Sequence, residues 1–260
     1  MSHTLRGSRV LITGASSGIG RACAEAFSAA GASLVLAARR ADRLEQLAGS
    51  LDTPVHVIEL DVRDRPSVER AIASLPGEWS SQIDILVNNA GLASGLEPLH
   101  EGDPDDWDRM VDTNVKGLLY VTRAVLPGMV ARGSGHVINI GSIAGHQTYP
   151  NGAVYCATKA AVDRITIGLR MDVLGTGVKV STVDPGLVET EFSLVRFHGD
   201  SDRASRVYSG VKPLSGEDIA ETVVWVASRP PHVQVAEVIV LASAQASPTM
   251  VHREPAGESA

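Results

Sequence analysis

The 260-residue chain is 44% hydrophobic, enough to bury the core of one α/β domain rather than two small ones. Its net charge of -7, with acids and bases interspersed, argues against nucleic acid or an anionic membrane as the main partner, so an anionic ligand must be held by local positive groups. Cys23 and Cys156 are too few for a disulfide framework or a metal cluster, and no apolar run approaches the ~20 residues of a membrane span. The start, M-S-H-T-L-R-G-S-R, enters a strand without a signal-peptide core, and a soluble cytoplasmic protein is expected.

The first apolar run, V-L-I-T at Val10, feeds T-G-A-S-S-G-I-G, Thr13 to Gly20, and then a helix over 18 to 30. Gly14 lets the chain turn, Gly18 lets backbone N–H groups approach a pyrophosphate, and Gly20 lets the helix pack close to the sheet. Ser16, Ser17 and Ile19 complete this dinucleotide cradle, whose spacing is Gly-x-x-x-Gly-x-Gly. The second strand, at Ser33, ends at Ala38, where a carboxylate would accept from the ribose 2′-hydroxyl and repel a 2′-phosphate. Arg39 and Arg40 follow instead and favour NADP(H) over NAD, because a planar guanidinium suits a phosphate dianion. After a helix over 40 to 50, the third strand (V-H-V-I-E-L at Val55) ends in L-D-V. There Asp61 is placed to accept from the adenine amino group and Val62 to line its ring.

A helix over 64 to 75 leads to the fourth strand at Asp84, which ends in N-N-A-G. Asn88, Ala90 and Gly91 are small or polar where the chain must approach ribose and nicotinamide. A long helix over 104 to 132 precedes the fifth strand, G-H-V-I-N-I at Gly135, with Ser142 just beyond its end. The helix over 152 to 174 then stacks Tyr155 and Lys159 one turn apart on one face. The sixth strand lies at Val178, a helix over 216 to 228, and the seventh strand at Glu237. Near-continuous apolar strands separated by helices predict a Rossmann-type, doubly wound α/β fold with a seven-stranded parallel sheet in a single domain, 1–260. The mixed, charged segment 187–213 breaks this rhythm and is expected to be a substrate lid. Residues 247–260 lack periodicity and are expected to form a surface tail.

T-G-A-S-S-G-I-G, N-N-A-G, Asn114 in D-T-N-V-K-G, Ser142 in I-G-S-I-A-G, Y-C-A-T-K and D-P-G-L-V-E-T follow one another as in the classical short-chain dehydrogenase/reductase family, which the chain resembles over nearly its whole length. The resemblance implies a tetrad of Asn114, Ser142, Tyr155 and Lys159, with Pro185, Gly186, Val188 and Thr190 beside the nicotinamide. It also implies that Lys159 holds the ribose hydroxyls, that Asn114 holds a relay water and that the long helices pair in a homotetramer. Hydride transfer needs a proton moved at the substrate oxygen, and Tyr155 is the candidate carrier. Bringing its pKa from ~10 to near 7 asks for ~4 kcal/mol, which a lysine charge ~4 Å away supplies at an effective dielectric of about 20. Ser142 is placed to hydrogen-bond the substrate oxygen as its charge develops.

Within the family, S-L-P-G-E-W, D-W-D-R-M-V-D-T-N-V-K-G, D-P-G-L-V-E-T-E-F-S-L-V-R-F-H-G-D and V-H-R are similar to the NADP-dependent 3-hydroxy acid dehydrogenase branch, also called serine 3-dehydrogenase or allo-threonine dehydrogenase. That resemblance implies a small anionic hydroxy acid, or the matching aldehyde, as substrate. The alternatives are a sulfoacetaldehyde reductase and a broad-specificity carbonyl reductase. Arg196, the one Lys or Arg between Lys179 and Arg203, is the candidate receptor for the substrate's anion, with Gln147 and Tyr149 shaping the pocket. His146, His198 and Cys156 lack partner spacing for metal or nucleophilic chemistry, so no metal is expected.

Overall fold

The computed structural model describes residues 4–80 and 82–254. Strands β1 (Arg9–Thr13), β2 (Ser33–Ala38), β3 (Val55–Glu59), β4 (Ile85–Asn88), β5 (Gly135–Ile140), β6 (Val178–Pro185) and β7 (Glu237–Val240) form one sheet in the order β3-β2-β1-β4-β5-β6-β7. Every pairing is parallel, with registers such as Val10↔Leu34 and Val10↔Ile85. The order reverses between β1 and β4, and ligands of such sheets bind in the crevice at the carboxyl ends there. Parallel strands buried on both faces explain why the runs read as continuously apolar.

Helices α1 (Gly18–Ala29), α2 (Ala41–Ala48), α3 (Arg65–Ala73) and the single turn α4 (Gly77–Ser80) connect the first four strands. Beyond β4 come α5 (Pro104–Val111), α6 (Leu118–Arg132), α7 (Ile143–His146) and α8 (Ala153–Asp172), then α9 (Phe192–Arg196), α10 (Ser201–Arg206) and α11 (Gly216–Ala227). One face of the sheet is sealed by α1 and α11, where Phe27, Ile219 and Val223 pack on Ile12 and Leu36. The other is sealed by α3 and α6, where Val68, Val121 and Met129 pack on Leu11 and Leu86. Local chemistry sets the helix ends. The Asp64 and Asp103 side chains accept backbone N–H bonds ahead of a proline in the first turn, and Ser215 and Asp218 form a capping box on α11.

The helix expected over 104–132 is interrupted by a π-helical segment, Asp112–Gly117. The interruption turns Asn114 inward, and single π turns of this kind gather at functional sites. The expected lid contains α9 and α10 and is tied back by Val188↔Leu214 bridging and by Tyr208 Oη donating to the Val188 carbonyl at 3.0 Å. The tail is at the surface but is not free. Arg253 donates to the Ser209 and Val207 carbonyls, and Glu254 N donates to the Gly210 carbonyl. The rest of the expected tail, 255–260, lies outside the described residues.

The apolar side chains of the two long helices are divided between this chain's own core and its surface. Leu118, Val121 and Val125 are buried in this chain's own interior. Leu119, at 42% exposure, faces outward, while Ile165, Ile167 and Leu169 are half-buried. Among the described residues no helix is long and apolar enough to cross a membrane.

Candidate active site

The turn after β1 requires left-handed backbone at Gly14 (φ 66°) and Gly18 (φ 53°), which glycine adopts without strain. A Cβ at Gly14 would lie 2.9 Å from Ala90 Cα, and one at Gly20 would strike Asn89 Nδ2 and the Gly14 carbonyl. Gly20 therefore allows close packing and does not border the cavity. The Ser17 side chain makes no capping bond to α1, so the first N–H groups of that helix are not taken by a side-chain cap. They face a cavity of about 550 Å³ that runs along the carboxyl ends of the sheet.

Its wall takes in Gly14, Ser16, Ser17, Gly18 and Ile19 from the first turn. Ala38, Arg39, Arg40, Asp61 and Val62 come from the ends of β2 and β3, and Ala90 and Gly91 follow β4. Ser142, Tyr149, Tyr155 and Lys159 flank it from the β5 side, and Pro185, Gly186, Val188, Thr190 and Arg196 from β6 and the lid. The structure thus gathers nearly every residue singled out in the sequence. Asn88 is an exception: it is buried, with Nδ2 donating to Thr122 Oγ1 and Asn139 Oδ1, and it ties β4 to α6 and β5. Its neighbour Asn89 lines the cavity and holds the cradle through bonds to the Thr13 and Gly14 carbonyls. Gln147 is exposed and off the cavity, because the chain leaves α7 toward solvent.

At the end where β2 terminates, Arg40 donates to Ser16 Oγ and Ser17 Oγ. It also pairs with Glu191 at 3.0 Å, and Arg43 pairs with the same carboxylate at 2.7 Å. Partial burial works against the Glu191 charge, but bonds from Arg43 and Arg40 hold its carboxyl below the usual range. Asp61, expected to accept from an adenine amino group, lines the cavity paired with Arg63. Arg63 grips both of its oxygens, and that bond holds the Asp61 carboxyl low.

Asn114 Oδ1 accepts from Leu92 N at 2.8 Å, and Nδ2 donates to the Leu92 carbonyl and Thr158 Oγ1. Its side chain thus fastens the π segment to α8 and to the loop after β4, and it does not reach the cavity. Ser142 caps α7 by accepting from Ala144 N at 3.1 Å. Lys159 Nζ donates to the Ile140 carbonyl at 2.9 Å. Burial pulls the Lys159 ammonium down to about 8, against the opposing charges of Asp184 and Asp163.

The lowering of Tyr155 by Lys159 is not borne out. Burial, helped by neighbouring Tyr149, drives the phenol well above its ordinary value, and the opposing influences are a hydrogen bond with Ser142 and the charge of Arg196. Lys159 bonds to the backbone instead of to the phenol, and its own charge is weakened by burial. Tyr155 is therefore a protonated phenol at neutral pH, equipped to donate.

The lid closes on this tyrosine. Phe192 meets the Tyr155 ring edge-on with centroids 5.6 Å apart. Arg196 donates from Nε to the Gly95 carbonyl and from Nη1 to Tyr149 Oη, and its guanidinium carbon stands 5.7 Å from the Tyr155 ring centroid. Gly95 N returns a bond to the Arg196 carbonyl, so the lid is strapped to the loop after β4 from both directions.

Residues 8–199 match the family profile described as short chain dehydrogenase. The chain belongs to the short-chain dehydrogenase family. It is 50% identical over 227 residues, 87% of this chain and 91% of the relative, to the NADP-dependent 3-hydroxy acid dehydrogenase YdfG of Shigella flexneri. It is 44% identical over 257 residues, 97% of this chain and 99% of the relative, to an NADP-dependent 3-hydroxy acid dehydrogenase of Schizosaccharomyces pombe. Among solved structures, the closed form of a serine dehydrogenase complexed with NADP+ is similar at a TM-score of 0.90 and 47% identity, covering 95% of this chain and all (100%) of that one.

For a short-chain dehydrogenase, the sequence motifs expose the cradle and the catalytic residues but miss several groups that the fold delivers. Arg43 lies one turn beyond Arg40, and Glu191 is far off in the chain, so only the fold reveals that they meet. Gln245, buried after β7, accepts from Leu187 N at 2.7 Å and fixes the start of the lid. Tyr208 and Phe192 line the same cavity. Arg43, Gln245 and Tyr208 sit in no motif, and Glu191 and Phe192 fall inside D-P-G-L-V-E-T-E-F-S-L-V-R-F-H-G-D without a role that the run itself reveals. The i, i+3 spacing of Arg40 and Arg43 was the one available signal.

Proposed function

We propose that the chain is an NADP(H)-dependent dehydrogenase that moves a hydride between the nicotinamide and the hydroxyl-bearing carbon of a small 3-hydroxy acid or its semialdehyde. The observation that carries the substrate reading is Arg196, whose guanidinium stands beside both the Tyr155 ring and the Tyr149 hydroxyl. A carboxylate two carbons from the reacting carbon spans the short gap between a proton donor at Tyr155 and this cation. The bonds already made by Nε and Nη1 orient the plane of the fork, and an anion would pair along its Nη edge.

The residues present fit the dinucleotide. Gly14, Gly18 and the start of α1 would hold its pyrophosphate, with Ser16, Ser17 and Ile19 beside them. The absence of an acid at Ala38, together with Arg39, Arg40 and Arg43, suits a 2′-phosphate. Val62, Ala90, Gly91, Pro185, Gly186, Val188 and Thr190 would line the adenine, ribose and nicotinamide in turn, and Asp61 would act there through its pair with Arg63. When bound, the dinucleotide supplies or accepts the hydride.

The protein's part is the proton. Tyr155 Oη gives it to the carbonyl oxygen during reduction and takes it back during oxidation, Ser142 Oγ hydrogen-bonds the same oxygen, and Lys159, in the same cavity wall, would hold the ribose hydroxyls. Asn114 keeps α8 in place through Leu92 and Thr158. A homotetramer is the proposed assembly, supported by exposed apolar side chains at Leu119, Val130 and Trp225; light scattering of the purified chain tests it.

The experiment is a substrate panel read by NADPH absorbance. Serine, allo-threonine and 3-hydroxypropionate are compared with their methyl esters, and malonic semialdehyde with sulfoacetaldehyde. Turnover of the acids at well above the rate of the esters is expected. Equal kcat/KM for acid and ester would make the protein a broad carbonyl reductase, and a preference for sulfoacetaldehyde would keep the anion receptor but change the substrate class.

A further inference from the structure

His146 has no partner within its own stretch of sequence, yet the fold brings two carboxylates to it. It ends α7, Asp163 lies in the middle of α8, and Asp184 stands near the end of β6. His146 Nε2 is 3.0 Å from Asp184 Oδ2 and 3.7 Å from Asp163 Oδ2. One ligand-type atom from each of the three residues lies within 4.8 Å of the other two.

The carboxylates are unusual for how little satisfies them. Their side chains are 3% and 0% exposed, and the second oxygen of each, Asp163 Oδ1 and Asp184 Oδ1, is buried without a hydrogen-bond partner. Both of these oxygens turn to the same spot beside Gly141. A Cβ there would overlap Asp184 Oδ1 and lie 3.6 Å from Asp163 Oδ1. On the far side, a Cβ on Gly145 would lie 2.8 Å from Asp163 Oδ2. The two glycines thus let both acids pack against backbone, where Thr182 Oγ1 bonds Asp184 Oδ2 but nothing bonds either Oδ1. Buried carboxylates left so are costly unless a cation answers them.

The positive groups nearby do not suffice. Among the described residues no Lys or Arg forms an ion pair with either acid: the charges of Lys159, which donates to the Ile140 carbonyl, and Arg164 reach them only at longer range, and Glu237 Oε1 adds a third carboxylate 3.9 Å from His146 Nδ1. An imidazole proton offsets one charge and leaves the second acid unmatched. A neutral imidazole with two carboxylates carries two negative charges, which one divalent cation cancels.

We propose that His146, Asp163 and Asp184 form a binding site for a divalent transition-metal ion, Zn²⁺ or Mn²⁺. Metal–ligand bonds of about 2.0–2.2 Å require ligand atoms roughly 3.0–3.5 Å apart. The separations of 3.0 and 3.7 Å bracket that range. An imidazole among the ligands favours these ions over Mg²⁺ and Ca²⁺, which take oxygen almost throughout. His146 is 20% exposed, so the ion has a way in and water completes its coordination. Glu237, beside Nδ1, is placed to orient the ring as carboxylates do behind metal-bound histidines.

The site lies where three segments of the candidate active site join. α7 begins directly after Ser142, Asp163 is one helical turn beyond Lys159, and Asp184 precedes Pro185. An ion here fastens these segments to one another, a structural role that does not depend on which substrate is turned over.

The test uses the purified full chain, stripped with a chelator and titrated with Zn²⁺, Mn²⁺ and Mg²⁺ by calorimetry, with bound metal counted after equilibrium dialysis. One equivalent of Zn²⁺ or Mn²⁺ per chain should bind, more tightly than Mg²⁺, and should raise the melting temperature. His146→Gln, a change at a partly exposed position, and Asp163→Asn should each weaken that binding at least tenfold and abolish the rise. Circular dichroism verifies that each variant is folded, and His146→Gln keeps the surface histidines that bind metal non-specifically. Absence of saturable binding by the wild-type chain, or equal binding by His146→Gln, overturns the proposal.

Discussion

Arg40→Ala tests the cofactor-phosphate reading at the group best placed to carry it. In the structure Arg40 bonds Ser16, Ser17 and Glu191 in the cradle's outer wall, with its side chain 40% exposed. A charge-assisted bond from a guanidinium to a phosphate is worth about 1.5 kcal/mol at the low end, which suits a group this accessible to water and salt. Its loss also leaves the Glu191 carboxylate answered by Arg43 alone, next to the incoming phosphate. That repulsion adds about 0.5–1 kcal/mol. The sum, about 2–2.5 kcal/mol, corresponds to roughly 30- to 70-fold weaker NADPH binding. Fluorescence titration gives the Kd of NADPH and, as the control lacking the 2′-phosphate, of NADH. NADH affinity should change less than threefold, and adding Glu191→Gln to Arg40→Ala should restore part of the NADPH affinity. Equal losses for both dinucleotides would refute the reasoning, because the arginine would then be holding the loop and not the phosphate.

Tyr155→Phe should abolish turnover while leaving the NADPH Kd within about threefold, measured by steady-state absorbance and fluorescence. His136 makes stability depend on acid. It is buried beside Lys179, its register partner on β6, and bonded to Ser181, and burial, with the Lys179 charge, holds its imidazole down at about 3. A folded-state pKa below the unfolded ~6.5 means that the unfolded chain binds the extra proton. Stability is therefore intact above about pH 6.5 and falls by ~1.4 kcal/mol per pH unit toward pH 3. Urea melts at pH 7 and pH 5 should differ by about 2 kcal/mol more in wild type than in His136→Gln; equal differences would remove His136 as the cause.

The strands were legible because a parallel sheet buried on both faces leaves continuous apolar runs, and the cradle because glycine adopts the left-handed backbone at Gly14 and Gly18 without strain. Less legible was what each polar side chain would meet. Asn88 and Asn89 are indistinguishable in N-N-A-G, yet strand alternation sends the first into the interior and leaves the second at the cavity. Asn114 reads as a helix residue, and the π turn that buries it arises from packing against Leu92 and Thr158. Spacing placed Tyr155 beside Lys159, but the balance between burial and charge at the phenol depends on Phe192, Tyr149 and Arg196, which arrive from other elements. The Arg40–Glu191–Arg43 cluster and the His146–Asp163–Asp184 cluster depend on contacts across long stretches of chain, which no local pattern encodes.

The central claim is that a cation beside Tyr155 selects an anionic substrate. Its most direct test is kcat/KM for a 3-hydroxy acid and for its methyl ester in wild type and in Arg196→Ala. Removing one partner of a closed charge pair costs at least ~2–3 kcal/mol, a loss of roughly 30- to 150-fold for the acid. The ester should lose less than threefold, and Arg196→Lys should recover only part of the acid rate, since a point charge cannot reproduce the fork. A selective loss on the acid supports the account; the same loss on acid and ester would show that Arg196 only straps the lid to Gly95, and would contradict it.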